Sequence, residues 1–245
     1  MPHTDFAYAA LEQIHDCKTP GELAKFTGQL INQLGASSYV YSIHITDDNT
    51  PDQFSQRHVI SSDNEWCELY NKKRWFMNDP FIEYAKRNTS PVFGSKILAK
   101  TQGQQDMLQM AGRYGFLSGI LVPTHCSNNV EERISMLYVG SDAPPEIGEP
   151  ILRRARIVYR ALGMELLDWW NHHLREKAAE RFKLNAEEIQ LLQFSKNGYV
   201  VSEIGAKLSL KPSNLYRKFD IIKDKFNVEK ISEAVRVASR AGLLG

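Results

Sequence analysis

The stretch LNAEEIQLLQFSKNGYVVSEIGAKLSLKPSNLYRKF, residues 184–219, decides the fold of the C-terminal part of the chain. Asn185 followed by Glu188 predicts a capping box that begins one helix, which Gly198 then ends. A second, short helix is predicted over residues 201–208, and Pro212 opens a third helix at a first-turn position. Two short helices joined by a tight turn, the second of them basic, are typical of a helix-turn-helix.

The predicted third helix has two distinct faces. Leu215, Phe219 and Ile222 fall on one face and are expected to pack inward. Cationic side chains on the other face can neutralise phosphates, and Asn, Ser and Tyr can bond to phosphates or base edges. The alternative is a solvated helical cap without a partner. The predicted DNA-binding residues are Lys211, Ser213, Asn214, Tyr216, Arg217 and Lys218.

The charge divides the 245-residue chain at the same place. Residues 175–245 hold 14 Lys and Arg against 9 Asp and Glu, a net charge of +5. Residues 1–174 hold 16 against 20, a net charge of −4, so the overall +1 averages two unlike parts. Confined basic charge is typical of a DNA-binding module. We therefore expect a domain over 1–174, a linker over 175–183 and a DNA-binding domain over 184–245.

The remaining composition narrows the class of protein. No apolar run approaches the roughly 18 residues of a membrane span, and the N-terminus lacks the pattern of a signal peptide. The cysteines at 17, 67 and 126 have no metal-ligand spacing. These features predict a reduced, cytoplasmic protein with no membrane partner, no metal and no cofactor.

The first 174 residues mix helical and strand periodicity. Strands are predicted over 38–45, 57–60, 118–123 and 134–140, and one long helix over 147–174. The expected fold class is α+β. It comprises an N-terminal α/β/α sandwich with a central antiparallel sheet, plus an all-α C-terminal helix-turn-helix domain. The long helix is expected to provide a dimer surface through Leu162, Leu166, Trp169 and Trp170.

Residues 184–244 resemble the C-terminal domain of LuxR-type regulators. The start of that family's pattern matches residues 184–188, and its internal Glu-Ile pair matches Glu203 and Ile204. Its Ala-x-x-x-Gly-Leu end matches residues 238–243. The recognition helix departs from the family: Asp220 stands where Arg or Asn is usual, and residues 214–218 differ from the common Thr-Val-Lys-Phe-His. The resemblance implies the fold and DNA binding at an inverted repeat, but no base preference.

A second resemblance lies near the N-terminus. Trp66, Tyr70, Asp79 and Pro80 resemble the Trp-x3-Tyr-x8-Asp-Pro signature of acyl-homoserine-lactone receptors. This implies that the Asp79 carboxylate accepts the ligand amide N–H and the Trp66 indole donates to the lactone carbonyl. The ring of Tyr70 would wall the acyl chain. Taken alone, the same residues are also consistent with a core pair followed by a turn.

Three positions depart from the receptor pattern. Ser62 stands where the family usually has Tyr, and Gly94 stands where it usually has a Trp that shields the lactone. The loss of that indole is expected to leave space for a larger or unusual ligand. Tyr138 replaces a usual Ser or Thr and adds bulk. Further wall residues, equally consistent with plain core, are predicted to be Tyr39, Tyr41, Met107, Leu108, Ala111 and Met136.

These features together predict a ligand-responsive transcriptional regulator of the quorum-sensing type. It would bind an acyl-homoserine lactone or related small signal, form a homodimer and bind promoter DNA. The alternative is an orphan LuxR-type regulator that answers a non-lactone ligand or none. An enzyme is not expected, because Cys67 with His44, His58 or His125 lacks any accompanying catalytic motif.

Overall fold

The computed structural model describes residues 2–47, 50–124 and 133–244, with side chains over 6–44, 59–124 and 134–244. The strands are β1 (Ser38–Asp47), β2 (Thr50–Ser61), β3 (Val92–Phe93), β4 (Ser118–Pro123) and β5 (Arg133–Ser141). The α-helices are α1 (Pro2–Glu12), α2 (Pro20–Gln33), α3 (Asn64–Lys72), α4 (Pro80–Ala85), α5 (Gln102–Gly112), α6 (Pro145–Arg154), α7 (Arg156–Arg181), α8 (Ala186–Lys196), α9 (Val201–Leu208), α10 (Pro212–Phe226) and α11 (Ile231–Arg240).

The five strands form one antiparallel sheet in the order β2-β1-β5-β4-β3, which confirms the predicted central sheet. Ser42 of β1 lies opposite Val59 of β2 and Met136 of β5, so these side chains share one face. β2 is longer than the predicted 57–60. As an edge strand it tolerates polar residues and a proline that a central strand would exclude.

Helices cover both faces of this sheet. On one face the Tyr39 hydroxyl donates to the carbonyl of Ala24 in α2 at 2.6 Å, and Tyr159 of α7 donates to Leu34 at 3.2 Å. On the other face α3, α4 and α5 pack their apolar side chains against β4 and β5. The layers are therefore helix, sheet and helix, as predicted. Within the described ranges, no helix is long and apolar enough to cross a membrane.

The predicted single helix over 147–174 is wrong, because α6 and α7 are separate. At Ala155 the backbone leaves the helical region (φ −101°, ψ 10°), and its N–H donates to Leu152 at 3.2 Å. A break of one residue leaves the apolar periodicity almost unchanged, so the sequence pattern did not reveal it. The predicted dimer residues Leu162, Leu166, Trp169 and Trp170 are buried within the chain, and that assignment is also wrong.

The chain forms two compact units, Met1–Trp169 and Trp170–Gly245. The predicted linker over 175–183 is instead helical as far as Arg181, the last residue of α7. This segment is rich in the strong helix formers Ala, Glu, Lys and Arg, and Lys177 pairs with Glu180 at 2.8 Å. Local propensity therefore continues the helix beyond the division.

The second unit packs α8, α9, α10 and α11 around one apolar core. The capping box predicted from the sequence is present: Glu188 N donates to Asn185 Oδ1 and Asn185 N donates to Glu188 Oε2, both at 2.9 Å. The buried Glu188 carboxylate also accepts from Lys225 Nζ at 2.6 Å. These contacts tie the start of α8 to the end of α10. The buried core residues include Leu191, Leu192, Ile204, Leu215, Ile222, Ala234 and Ala238.

Candidate functional sites

A cavity lies in the first unit between the sheet and helices α3, α4 and α5. The empty space within it and its open mouth is about 770 Å³. Its wall is mostly apolar and aromatic with a few polar groups, which is the usual character of a small-molecule site. Of the residues predicted to bind a ligand, those that line it are Trp66, Tyr70, Asp79, Met107, Leu108, Ala111, Met136 and Tyr138.

Asp79 supplies the buried carboxylate of the cavity. It is the N-cap of α4, where its Oδ1 accepts from Phe81 N at 2.7 Å, and its side chain is only 5% exposed. Its Oδ2 accepts from the Tyr70 hydroxyl at 2.5 Å. Burial raises the pKa of Asp79 to about 6, although the hydrogen bonds from Tyr70 and Phe81 oppose that rise. A strong acceptor is thus held rigidly at an apolar surface.

Trp66 organises an aromatic cluster around this carboxylate. Asp63 caps α3 by accepting from Trp66 N at 2.9 Å, which fixes the backbone that presents the indole. The Trp66 ring lies 5.8 Å from that of Tyr70, 5.7 Å from Trp75 and 5.6 Å from Tyr114, measured between centroids. Rings at these separations pack favourably when tilted, as they are here. Sequence spacing alone did not identify Trp75 as part of the cluster.

Gly94 does not open the extra space that the sequence predicted. A β-carbon at Gly94 would lie 2.8 Å from the Tyr138 hydroxyl oxygen, and one at Gly119 would lie 2.5 Å from the same ring. The Tyr138 ring also packs 4.8 Å from that of Phe81. The phenol of Tyr138 therefore fills the volume next to Gly94, and the expectation of a vacated indole site is wrong.

Three predicted wall residues do not line the cavity. Tyr39 and Tyr41 are fully buried. Their side chains point away from the cavity, because alternate residues of a strand point to opposite faces of the sheet. Ser62 follows β2, and its Oγ accepts from Tyr39 N at 3.0 Å. Ser62 thus ends the pairing of β1 with β2 instead of contacting a ligand.

The face of β1 toward the cavity carries residues that the sequence analysis did not predict. Ser42 and His44 alternate with the buried tyrosines and face the cavity, with His44 Nε2 2.9 Å from Ser42 Oγ. Two polar residues at alternate positions of a buried strand were the signal that this face meets something other than plain core. The missed lining residues are Val40, Ser42, His44, Val59, Cys67, Asn71, Phe81 and Phe116.

The cavity does not have the chemistry of a nucleophilic active site. Cys67 lines it as a free thiol, and burial raises the pKa of that thiol, which disfavours the reactive thiolate. Cys126, His125 and the His58 side chain lie outside the described residues. In the part of the chain that the structure describes, no group of three or more His, Cys, Asp or Glu side chains could hold a metal ion.

A second candidate site is the exposed face of α10. Lys211, Ser213, Asn214, Tyr216 and Arg217 are all exposed there, whereas Leu215, Phe219 and Ile222 are buried as predicted. Lys218 differs from the others, since it is partly buried and pairs with Glu187 at 2.6 Å. Asp220 pairs with Lys223 one turn later at 2.7 Å, which balances its negative charge.

The turn between α9 and α10 depends on a close backbone approach. Ser209 adopts a left-handed conformation (φ 54°), and Leu210 N donates to the Gly205 carbonyl at 2.9 Å. A β-carbon at Gly205 would lie 2.9 Å from the Leu210 carbonyl oxygen, so glycine is needed there. This contact sets the angle at which α10 leaves α9.

Comparison with known proteins gives consistent results. Residues 19–162 match the sequence model of the family described as the autoinducer binding domain. Escherichia coli SdiA is similar in structure, with a TM-score of 0.64, 14% identity and coverage of 99% of both chains. SdiA in complex with octanoyl-rac-glycerol gives a TM-score of 0.61 and 13% identity, over 97% of this chain and 95% of that one.

A third solved structure matches part of the chain. CepR2 of Burkholderia cenocepacia, described as an N-acylhomoserine-lactone-dependent LuxR-family transcription factor, gives a TM-score of 0.55 at 14% identity. It covers 68% of this chain and 95% of its own. At such identities these likenesses establish the fold alone. No curated protein sequence matches the chain.

Proposed function

The chain belongs to the LuxR-type family of autoinducer receptors, and on that premise we propose that it binds an acyl-homoserine lactone or a related small signal. The matched family is described as an autoinducer binding domain, which binds a signal and has no catalytic role, so the prediction that the chain is not an enzyme is confirmed. The observation that carries the proposal is the buried Asp79 carboxylate beside Trp66 and Tyr70 in an apolar cavity.

The chemistry of these three side chains suits an acylated amide. Asp79 Oδ2 is positioned to accept a ligand N–H while it keeps the hydrogen bond from Tyr70. The Trp66 indole N–H can donate only, so it suits a carbonyl oxygen. The Tyr138 side chain packs over Gly94 and Gly119, and its hydroxyl limits the space for the head group of the ligand on that side.

Ligand capture tests this proposal directly. The protein is purified from cells grown with and without added N-acyl-homoserine lactones, and the small molecules carried with it are identified by mass spectrometry. We expect a lactone to copurify and to raise the melting temperature by mass action. The matched variant Asp79→Ala should carry none. Equal recovery of lactone with the variant would contradict the proposed role of Asp79.

We further propose that the second unit is a helix-turn-helix that binds promoter DNA in the cytoplasm. The support is the exposed cationic and hydrogen-bonding face of α10 together with its tight turn from α9. A dimer would place one α10 in each half of an inverted repeat. Selection of random DNA followed by gel shift tests this: we expect a two-fold symmetric site, and a single half-site would contradict the dimeric arrangement.

The dimer contact is proposed on the exposed apolar residues of α7. Ile157 and Met164 lie seven residues apart on one side of the helix and are 74% and 51% exposed. Arg at both positions should convert the dimer to a monomer, measured by light scattering after gel filtration. Leu98→Arg, at an exposed apolar position in the same unit, is the matched control and should leave the mass unchanged. A dimer that survives the double substitution contradicts this interface.

A ligand-independent orphan regulator is the second candidate. The observation that favours it is the Tyr70–Asp79 hydrogen bond, which gives the buried carboxylate a partner within the chain. Apo protein that is stable, dimeric and bound to DNA would support this alternative. Protein that folds only with lactone would exclude it.

A further inference from the structure

Ser42 and His44 form a polar pair in the wall of the cavity. Their side chains approach to 2.9 Å, between Ser42 Oγ and His44 Nε2, and the residues are 4% and 2% exposed. In the sheet Ser42 lies between Val59 and Met136, and His44 lies between Arg57 and Ile134. The Ser42 hydroxyl therefore has apolar neighbours on both adjacent strands and is shielded from bulk water.

The register of the sheet locates this pair relative to Asp79. Val40 lies opposite Tyr138, whose ring packs against Phe81, two residues after Asp79. Ser42 and His44 are two and four residues further along β1, which is roughly 7 and 13 Å at the rise of a strand. The pair thus lies toward the end of the cavity that a ligand's tail would reach when its head group is at Asp79.

A plain alkyl tail would not use these groups. A hydroxyl whose remaining hydrogen-bonding capacity faces an apolar partner loses a hydrogen bond to water that nothing replaces. A serine hydroxyl can donate one hydrogen bond and accept two, so Ser42 retains capacity beyond its bond with His44. An oxygen on the tail would satisfy that capacity.

We propose that the signal carries a hydroxyl or carbonyl oxygen on the outer part of its tail, and that Ser42 and His44 determine specificity for it. This inference rests on the proposed receptor function for the orientation of the ligand. It adds a tail-recognition site to the head-group site formed by Asp79 and Trp66.

The test uses two series of probes that share tails but differ in head group. One series contains N-acyl-homoserine lactones and the other contains 1-monoacylglycerols. Within each series the tail has one length and is either unsubstituted or hydroxylated at successive carbons of its outer half. Titration calorimetry of the full chain gives a Kd for each probe. We expect the best hydroxylated probe to bind about tenfold more tightly than the unsubstituted one, as one well-placed hydrogen bond allows.

Two variants assign that preference to the pair. Ser42→Ala should remove most of the tenfold preference, because it deletes the hydroxyl that would pair with the tail oxygen. Val59 is the neighbour of Ser42 on β2, and Val59→Ala deletes two methyl groups from the same face of the sheet. It should weaken the binding of both probes equally. Because Ser42→Ala deletes only a hydroxyl, it keeps the test valid where a substitution of His44 fails to fold.

The outcomes separate the two proposals. A hydroxyl preference among the acylglycerols that Ser42→Ala removes, without any binding of lactones, would overturn the lactone assignment and support the tail site. Lactone binding with no preference for a hydroxylated tail would overturn the tail site alone. A preference that survives Ser42→Ala, or the absence of any preference in both series, also overturns the tail site.

Discussion

The Tyr138 hydroxyl oxygen would lie 2.8 Å from a β-carbon at Gly94, so the two positions share one volume in the first unit. The ring packs directly against Gly119 of β4, where a β-carbon would lie 2.5 Å from it. Gly94 has no side chain to fill this volume, and the Tyr138 side chain fills it instead. A change at either position therefore has to be interpreted together with the other.

Gly94→Ala should destabilise the protein by about 1–3 kcal/mol, the usual cost of overpacking a well-filled site. Adding Tyr138→Phe removes the clashing oxygen and should restore most of that free energy of unfolding. The measurement is chemical denaturation of the single and double variants without ligand. Gly119→Ala is the matched control: its β-carbon meets the ring itself, so Tyr138→Phe should not rescue it. Equal rescue at both glycines would contradict this packing.

Asp79→Ala should abolish the ligand response, while Asp79→Asn separates charge from shape. Asn keeps an oxygen that can accept from Phe81 N, so the N-cap of α4 survives, and its NH2 group can donate to the Tyr70 oxygen in place of the hydrogen bond that the carboxylate accepted. We expect Asp79→Asn to fold as well as the wild type at neutral pH but to bind lactone at least tenfold more weakly. Wild-type affinity in Asp79→Asn would show that the ligand does not use the carboxylate charge.

The ionisation of Asp79 predicts a pH dependence of stability with a defined sign. Burial raises the pKa of Asp79 from 3.8 to about 6, so the folded protein holds this proton more tightly than the unfolded chain. The contribution of Asp79 to stability is therefore fully present below about pH 4 and is lost as the pH rises to about 6. The free energy of unfolding of Asp79→Asn minus that of the wild type should increase over this window, on the order of 3 kcal/mol. A flat difference would contradict the burial of an ionisable Asp79.

Substitutions on α10 should change the salt dependence of DNA binding. Lys211→Ala and Arg217→Ala each remove an exposed cation, so each should lower the slope of log K against log salt by about 1 per phosphate contact. Lys218→Ala should have a smaller effect, because Glu187 already pairs with Lys218 at 2.6 Å. Lys25→Ala in the first unit is the control. If Lys211→Ala, Arg217→Ala and Lys218→Ala all show the salt dependence of the wild type in gel shifts, the assignment of α10 as the DNA-binding helix is contradicted.

Glu188→Ala should destabilise the second unit more than any other cap substitution. It removes the acceptor of Lys225 Nζ and of Asn185 N, at a site where the carboxylate is buried. We expect a loss of about 2 kcal/mol, against about 1 kcal/mol for Asn185→Ala. Glu187→Ala should cost less than about 1 kcal/mol, because that side chain is 42% exposed and its ion pair with Lys218 is screened by water. Hydrogen exchange of the α8 amides in the full chain provides the measurement, and an effect of Glu187→Ala as large as that of Glu188→Ala would contradict this ranking.

Local signals were sufficient for much of the fold. Asn185 and Glu188 form the capping box that their spacing predicts, because a cap is made by residues three apart. Trp66 and Tyr70 face one cavity because they are one helical turn apart, and Asp79 joins them as the N-cap of the next helix.

Signals that depend on distant partners failed. Tyr39 and Tyr41 are predicted as wall residues from their position on the strand, but both faces of β1 are buried, so burial alone does not distinguish the face toward the cavity from the face toward the helices. The volume at Gly94 depends on Tyr138, which no local pattern connects to it. The break at Ala155 is a single residue inside an apolar periodicity that continues on both sides.

The alternation of β1 also has a consequence for the engineering of new receptors. Val40, Ser42 and His44 contact only the cavity side, whereas Tyr39 and Tyr41 hold the sheet to the helices behind it. A library that randomises the even-numbered positions can therefore explore new signals on an intact scaffold. One that randomises the odd-numbered positions would discard most of its members as unfolded chains.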